Sequence, residues 1–118
     1  MTESALLREI MLAVSQTGGR VFRNNVAKGW IGEGTCHRDM SGMAVTIRNP
    51  RRLHAGLCVG SSDLIGFTAD GKFLAIECKA GRGKATPMQQ NFIDAVNRAG
   101  GIGIIARSVQ DVLTALAP

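Results

Sequence analysis

Glu77 and Lys79 stand two residues apart in AIECKAG, at 75–81, inside an apolar run that reads as a strand. Strand residues two apart face the same way, so the carboxylate and the ammonium share a face with Ala75 while Ile76 and Cys78 point to the other. A second carboxylate, Asp63, stands near the start of the preceding apolar run, SDLIGF at 62–67. SDLIGF and KFLAIEC (72–78) are joined by TADG, whose Asp70-Gly71 is a strong hairpin signal, so the two runs form an antiparallel pair. Counted outward from that turn, Asp63 lies seven residues before Asp70 and Glu77 six after Gly71, which sets the carboxylates roughly opposite each other.

Facing carboxylates repel unless a cation or a shared proton relieves them, and two hard oxygen ligands beside open positions are a usual way of holding Mg²⁺ or Mn²⁺. Lys79 beside them then either orients a water or hydroxide or stabilises charge building on a phosphate. The competing reading is a cross-strand salt bridge on an exposed face, which stabilises a sheet only modestly. These residues alone do not choose between the two.

The elements around the pair are legible from periodicity. A helix is predicted over 3–16, where Leu6, Leu7, Ile10, Met11 and Val14 recur at three-and-four spacing and Gly18-Gly19 stops the run. RVFRNNV alternates as a strand. From Ala27 to about Gly42 no periodicity shows, so a loop is expected there, and MAVTIRN makes a short strand ended by Pro50. Residues 87–99 place Met88, Phe92, Ala95, Val96 and Ala99 on one helical face, closed by Gly100-Gly101. Thr86-Pro87-Met88-Gln89 opens that helix as N-cap to N3, a capping box with proline at its preferred place. IGIIA is a short buried strand, and Ser108 caps a last helix carrying Val112, Leu113 and Leu116. The order is α-β-(loop)-β-β-α-β-α without internal repeat, and 118 residues suffice for one core but not two.

Composition is that of a folded protein, 45% hydrophobic and 19% charged, and four Phe with one Trp leave the core to aliphatic side chains. The formal charge is +5, and the segment 20–54 accounts for all of it, with seven basic residues against Glu33 and Asp39. Such a field attracts phosphate backbones, the alternative being a solvated basic surface. Cys36, Cys58 and Cys78 are odd in number and irregularly spaced, which argues against a disulfide framework and fits a reducing compartment. Glu3, Arg8 and Glu9 interrupt the N-terminal apolar stretch and no run reaches spanning length, so a cytoplasmic protein without a membrane partner is expected. Cys36-His37 and His54-x-x-x-Cys58 lack zinc-site spacing, and GRGKAT fails the phosphate-loop pattern because Ala85 follows Lys84. Arg82 and Lys84 are then cations that contact a nucleic-acid backbone or members of a solvated loop.

GSSDLIGF followed by GKFLAIECKAG resembles the Asp-then-Glu-x-Lys core of the PD-(D/E)XK nuclease superfamily. More narrowly, FRNN, GSSDLIGF, AIECKAGRGKATPMQQNFIDAVNRAGG and the Glu-bearing first helix resemble the virus-type replication-repair nuclease domain, VRR-NUC, in its small stand-alone phage form. The likeness spans the chain apart from residues 28–55, and departs where serine rather than proline precedes Asp63.

The resemblance implies one nuclease domain over 1–118: an α/β, restriction-endonuclease-like core with a mixed central β-sheet flanked by α-helices. It implies a Mg²⁺ or Mn²⁺ ion bound by Asp63, Glu77, the Cys78 carbonyl and a helix carboxylate, with Lys79 assisting the attacking water and Gln89 at the active site. Glu3 is preferred to Glu9 for the helix carboxylate because it lies three and four residues before Leu6 and Leu7, although an acid at a helix N-terminus is favoured in any case. The basic residues Arg23, Arg48, Arg51, Arg52, Arg82 and Lys84, with Asn25, are expected to contact DNA. The function implied is that of a homodimeric endonuclease on branched DNA of the Holliday-junction type, encoded by a bacterial host or a phage. The rivals are flap, single-strand or general duplex preference, and a non-catalytic DNA-binding module, which would need no Asp63, Glu77 and Lys79 set.

Overall fold

The computed structural model covers residues 1–118. In chain order its elements are α1 (Glu3–Gln16), β1 (Arg20–Arg23), β2 (Ala27–Asp39), β3 (Gly42–Ala55), β4 (Leu64–Phe67), β5 (Phe73–Cys78), α2 (Pro87–Arg98), β6 (Ile102–Ala106) and α3 (Val109–Leu116). Four strands form a mixed sheet in the order β1-β4-β5-β6, in which β6 runs parallel to β5 and the other pairs are antiparallel. The parallel pair needs a crossover, and α2 supplies it.

Alternation along β5 sends Leu74, Ile76 and Cys78 to one face and Ala75 and Glu77 to the other. On the first face, Leu6, Ile10 and Val14 of α1 and Val112 of α3 pack with Leu64 and Ile104 into a core that holds no aromatic side chain. On the second, α2 lays Ile93 and Val96 on Ala75 over β5 and β6. α2 does not extend the cover to β1 and β4, and the open stretch collects phenylalanines. Phe22 pairs with Ile65 and Phe67 with Phe73, and Phe22, Phe67 and Phe73 stay 52%, 45% and 45% exposed.

Several expectations need correction. The loop expected from Ala27 to Gly42 and the short strand ending at Pro50 are one long hairpin, β2 paired with β3 from Ala27–Ala55 to Asp39–Gly42. It forms a two-stranded sheet of its own, here called the arm. Nearly every residue of the arm is exposed, so neither face is selected for apolarity and the period-two signal never develops. Pro50 does not end the strand because it falls at a bulge, with Asn49 beside it at φ 49°, where a missing ladder donor is tolerated. β1 stops at Arg23 rather than running on through Val26, because Asn24 turns into a cluster of hydrogen bonds described below. The β4–β5 connection is a five-residue loop closed by Thr68 N donating to Lys72 O (2.9 Å), not a tight Asp70-Gly71 turn, although Gly71 does take the left-handed φ of 87°. Helix α2 is rotated from the predicted face: Met88, Ala95 and Ala99 are exposed, and Ile93 is buried instead.

The arm dominates the molecular shape, 55 × 29 × 29 Å. A radius of gyration of 17.4 Å exceeds the ~13.5 Å of a compact chain of this length. The accessible surface, 7903 Å², exceeds the ~6,200 Å² of a monomer of this mass.

Candidate active site

The β4–β5 register pairs Leu64 with Ile76, so the next residues outward, Asp63 and Glu77, stand opposite each other on the face that α2 partly covers. Each is tied to the other strand: Asp63 N donates to Glu77 Oε2 (3.2 Å), and Cys78 N donates to Asp63 Oδ2 (2.9 Å). Glu77 is 1% exposed, and its Oε1 accepts from Gln89 Nε2 at 3.0 Å and lies 3.4 Å from Lys79 Nζ. Burial, and secondarily the Asp63 carboxylate, push the Glu77 carboxyl up to about 7, with Lys79 opposing. A buried carboxylate against a second one is costly, and this is the electrostatic state that an added cation relieves.

Lys79 follows directly on β5, and its N–H continues the parallel ladder by donating to Ala106 O at 3.0 Å. That bond anchors the backbone, and the side chain, 14% exposed, is aimed at Glu77. Gln89 carries both of the roles open to it. Its Oε1 accepts from Thr86 N (2.9 Å) to close the capping box, and its Nε2 donates to Glu77. An amide has one acceptor and one donor side, so the helix cap fixes which end faces the carboxylate.

Cys78 brings its backbone to the site and its thiol to the opposite, buried face. Burial first, then the charges of Asp63, Glu77 and Glu3, push that thiol up to about 12, so it is no nucleophile. Glu3 Oε2 accepts from Ala80 N at 3.5 Å, which places it beside the loop after Lys79 rather than in the carboxylate pair. Glu9 is exposed. No three His, Cys, Asp or Glu side chains stand close enough to hold a metal between them, and the cysteines are all free.

Asn25 joins the site: with Leu7, Ser61, Asp63 and Gln89 it lines a cleft of about 450 Å³. Arg23 ends β1 paired with Leu64, so it shares Leu64's face of the sheet and not the face that carries Asp63 and Glu77. Arg82 and Lys84 are exposed in the loop between Lys79 and Thr86. Arg48, Arg51 and Arg52 lie on β3, in the separate two-stranded sheet.

Sequence reasoning passed over Asn24. It is 8% exposed, and its N–H donates to Asp63 O at 2.8 Å. Its Nδ2 donates to Ser61 Oγ (2.7 Å) and Ser62 O (2.9 Å), and its Oδ1 accepts from Leu57 N (3.0 Å). Asn24 thus fixes the backbone that carries Asp63. The available signal was an asparagine at the end of one strand and a Ser-Ser pair at the start of the next.

Opposed carboxylates on adjacent strands, a lysine two residues on and a glutamine from the next helix converge on one point. A family model described as the VRR-NUC domain matches residues 41–110. The chain belongs to the VRR-NUC family. It is a nuclease domain of the PD-(D/E)XK type. The match takes in Asp63, Glu77, Cys78, Lys79 and Gln89 and begins inside the arm, so α1 with Glu3, β1 and Asn25 fall outside the stretch that carries the VRR-NUC assignment. No curated protein matches the chain significantly. No helix is long and apolar enough to cross a membrane.

Nucleases of this type generally use divalent metals, and the donor set fits one. The groups on offer are carboxylate and carbonyl oxygens, the ligands of hard cations. Two protein carboxylates suit a hard divalent cation that keeps several of its waters.

Proposed function

We infer that this VRR-NUC domain is a divalent-metal-dependent endonuclease that hydrolyses phosphodiester bonds in DNA, working as a homodimer on branched substrates of the four-way-junction type in a bacterial cytoplasm, host- or phage-encoded. The observation that carries the catalytic part is the Asp63–Glu77 pair, in which a buried Glu77 faces a half-buried Asp63 and is flanked by Lys79. Asp63, Glu77 and the Cys78 carbonyl would hold Mg²⁺ or Mn²⁺, with Glu3 at the edge. Bound there, the ion supplies Lewis-acid neutralisation of the charge that develops on the phosphate.

The side chains do the rest. Lys79 Nζ orients the attacking water for in-line displacement at phosphorus. As the water oxygen bonds to phosphorus and the bond to the sugar oxygen breaks, the water's proton passes to solvent and the leaving oxygen takes a proton from solvent. Gln89 holds Glu77 in position through its Nε2, and Asn24 holds Asp63. Asn25, Arg82 and Lys84 would contact the phosphates that flank the cut, and Arg23, on the other face of the sheet end, would meet the backbone farther along.

Homodimerisation is supported by the exposed Phe22, Phe67 and Phe73 on one open sheet face, since a grouped apolar surface of this kind favours a covering partner. A two-fold dimer presents two equal active sites, as paired cuts on a junction require.

The test is cleavage of labelled four-way-junction, flap, single-stranded and duplex DNA with Mg²⁺, with Mn²⁺ and with EDTA, by wild type, Glu77→Ala and Lys79→Ala. Metal-dependent paired cuts on the junction are expected. Both variants should lose about 10²-fold or more of the rate while still binding DNA. Preferential cutting of flap or single strands would remove the junction preference and leave the nuclease. Binding without cutting under either metal would overturn the catalytic reading.

A further inference from the structure

The arm is the part of the molecule that the catalytic account leaves without a task. It carries Lys28, Arg38, Arg48, Arg51 and Arg52 against Glu33 and Asp39, all of them exposed. None of these cations is in an ion pair, for the chain's two pairs are Lys72–Asp70 and Lys79–Glu77. A two-stranded hairpin standing alone is marginal in water, so such a ribbon gains from a partner that covers it. Unpaired cations make that partner anionic.

The bulge decides where the charges point. Arg48 and Arg51 are three residues apart and would face opposite sides of a regular strand. The extra residue in β3 sets Arg51 opposite Ile31 and Arg48 opposite Glu33, two apart on β2, so both arginines share one face. Gly32 makes room for this, because a Cβ there would stand 2.5 Å from Arg48 O. The other face carries Arg52 opposite Trp30 and His54 opposite Lys28. The Arg52 guanidinium stacks over the Trp30 ring at 5.0 Å, which leaves the indole 55% exposed.

Cations on both faces match a channel with phosphates on both walls. The major groove of B-DNA, about 12 Å wide, admits a two-stranded β-ribbon. β2 has 13 residues and therefore spans ~43 Å, somewhat more than one duplex turn of ~34 Å. We propose that the arm is a duplex-binding ribbon that lies in the major groove of the DNA beside the cleavage site, with Arg48, Arg51 and Arg52 on phosphates, and so requires about one turn of continuous duplex. The proposal rests on the reading of this chain as a DNA nuclease and names the part of the substrate that the arm holds.

Fluorescence anisotropy in EDTA tests it, with fluorescein-labelled duplexes of 24 and 8 base pairs, wild type, Trp30→Ala and the triple variant Arg48→Gln, Arg51→Gln, Arg52→Gln. These positions are exposed, and circular dichroism verifies the fold. On the longer duplex the triple variant should lose at least about tenfold in affinity. Its log–log salt slope should flatten by about 2.7, which is ~0.9 for each phosphate that the three arginines no longer neutralise. Trp30→Ala should bind the longer duplex more weakly than wild type, and wild type should prefer that duplex by more than the triple variant does. If wild type cuts DNA but the triple variant binds both duplexes with unchanged affinity and slope, the arm proposal falls and the nuclease stands. If wild type binds no DNA, the nuclease reading falls with it. If light scattering shows that the triple variant loses affinity by becoming monomeric, the arm seats a second copy and the proposal is overturned.

Discussion

Replacing Glu77 by Gln isolates the electrostatic strain of the site. The Glu77 carboxyl is raised from an ordinary 4.5 to about 7, burial being the larger cause and Asp63 the next. Native protein therefore holds this proton more tightly than unfolded chain does. The associated stability is fully present below pH ~4.5 and is lost as pH rises through about 7. At 1.36 kcal/mol for each pKa unit, the loss is about 3 kcal/mol by pH 8. Glutamine keeps the shape and the acceptor for Gln89 but never ionises. Its stability, measured by urea denaturation in EDTA, should lack this component, so the wild-type-minus-variant difference should shift by about 3 kcal/mol between pH 4.5 and pH 8. The other carboxylates largely cancel in that difference. At pH 8 the variant should be the more stable protein by 1–3 kcal/mol, roughly, after the loss of the charged hydrogen bonds. Added Mn²⁺ should then raise the melting temperature of wild type and leave the variant unmoved, because binding to the native state stabilises by mass action. An equal wild-type-minus-variant difference at the two pH values would refute the reasoning, since Glu77 would then be ionised at no cost.

Two further substitutions probe the groups that hold the pair. Gln89→Ala removes the capping-box acceptor and the donor to Glu77 together. Thermal unfolding should show a loss of about 1 kcal/mol, and cleavage at limiting metal should fall by 10–100-fold, roughly, with partial recovery in excess metal. Unchanged cleavage at limiting metal would show that the Glu77 contact is idle. Asn24→Ala strands Leu57 N and Ser62 O without partners, so urea denaturation should register a loss of ~2–4 kcal/mol. A loss below ~1 kcal/mol would mean that the cluster does not fix the strand leading to Asp63.

The carboxylate pair was legible in the sequence because its geometry is local. Asp63 and Glu77 lie on two strands joined by a short loop, and the period of two in each strand, counted from one turn, is enough to set them opposite each other. The capping box at Thr86–Gln89 is likewise a four-residue pattern and forms as written. The first helix, whose apolar stripe faces a core, matches its predicted bounds at Glu3 and Gln16.

What depended on contacts far apart in the chain was not legible. The arm left no periodic trace because both of its faces meet solvent, and a strand is recognised in sequence by the burial of one face. Asn24 turns on partners at 57 and 61–63, so no local pattern marks it. The face of α2 was misread because Gln89 must reach Glu77 and Gly60 packs against Met88, which rotates the helix away from the most apolar stripe. The sequence by itself determined the helices, the four strands of the core sheet and the opposition of the two carboxylates. Only the tertiary structure decided that Gln89 caps its helix and reaches Glu77 at once, that Glu3 stops at Ala80, and that three phenylalanines stay outside an aliphatic core. Each of those outcomes is set by packing between elements, which periodicity within one element does not record.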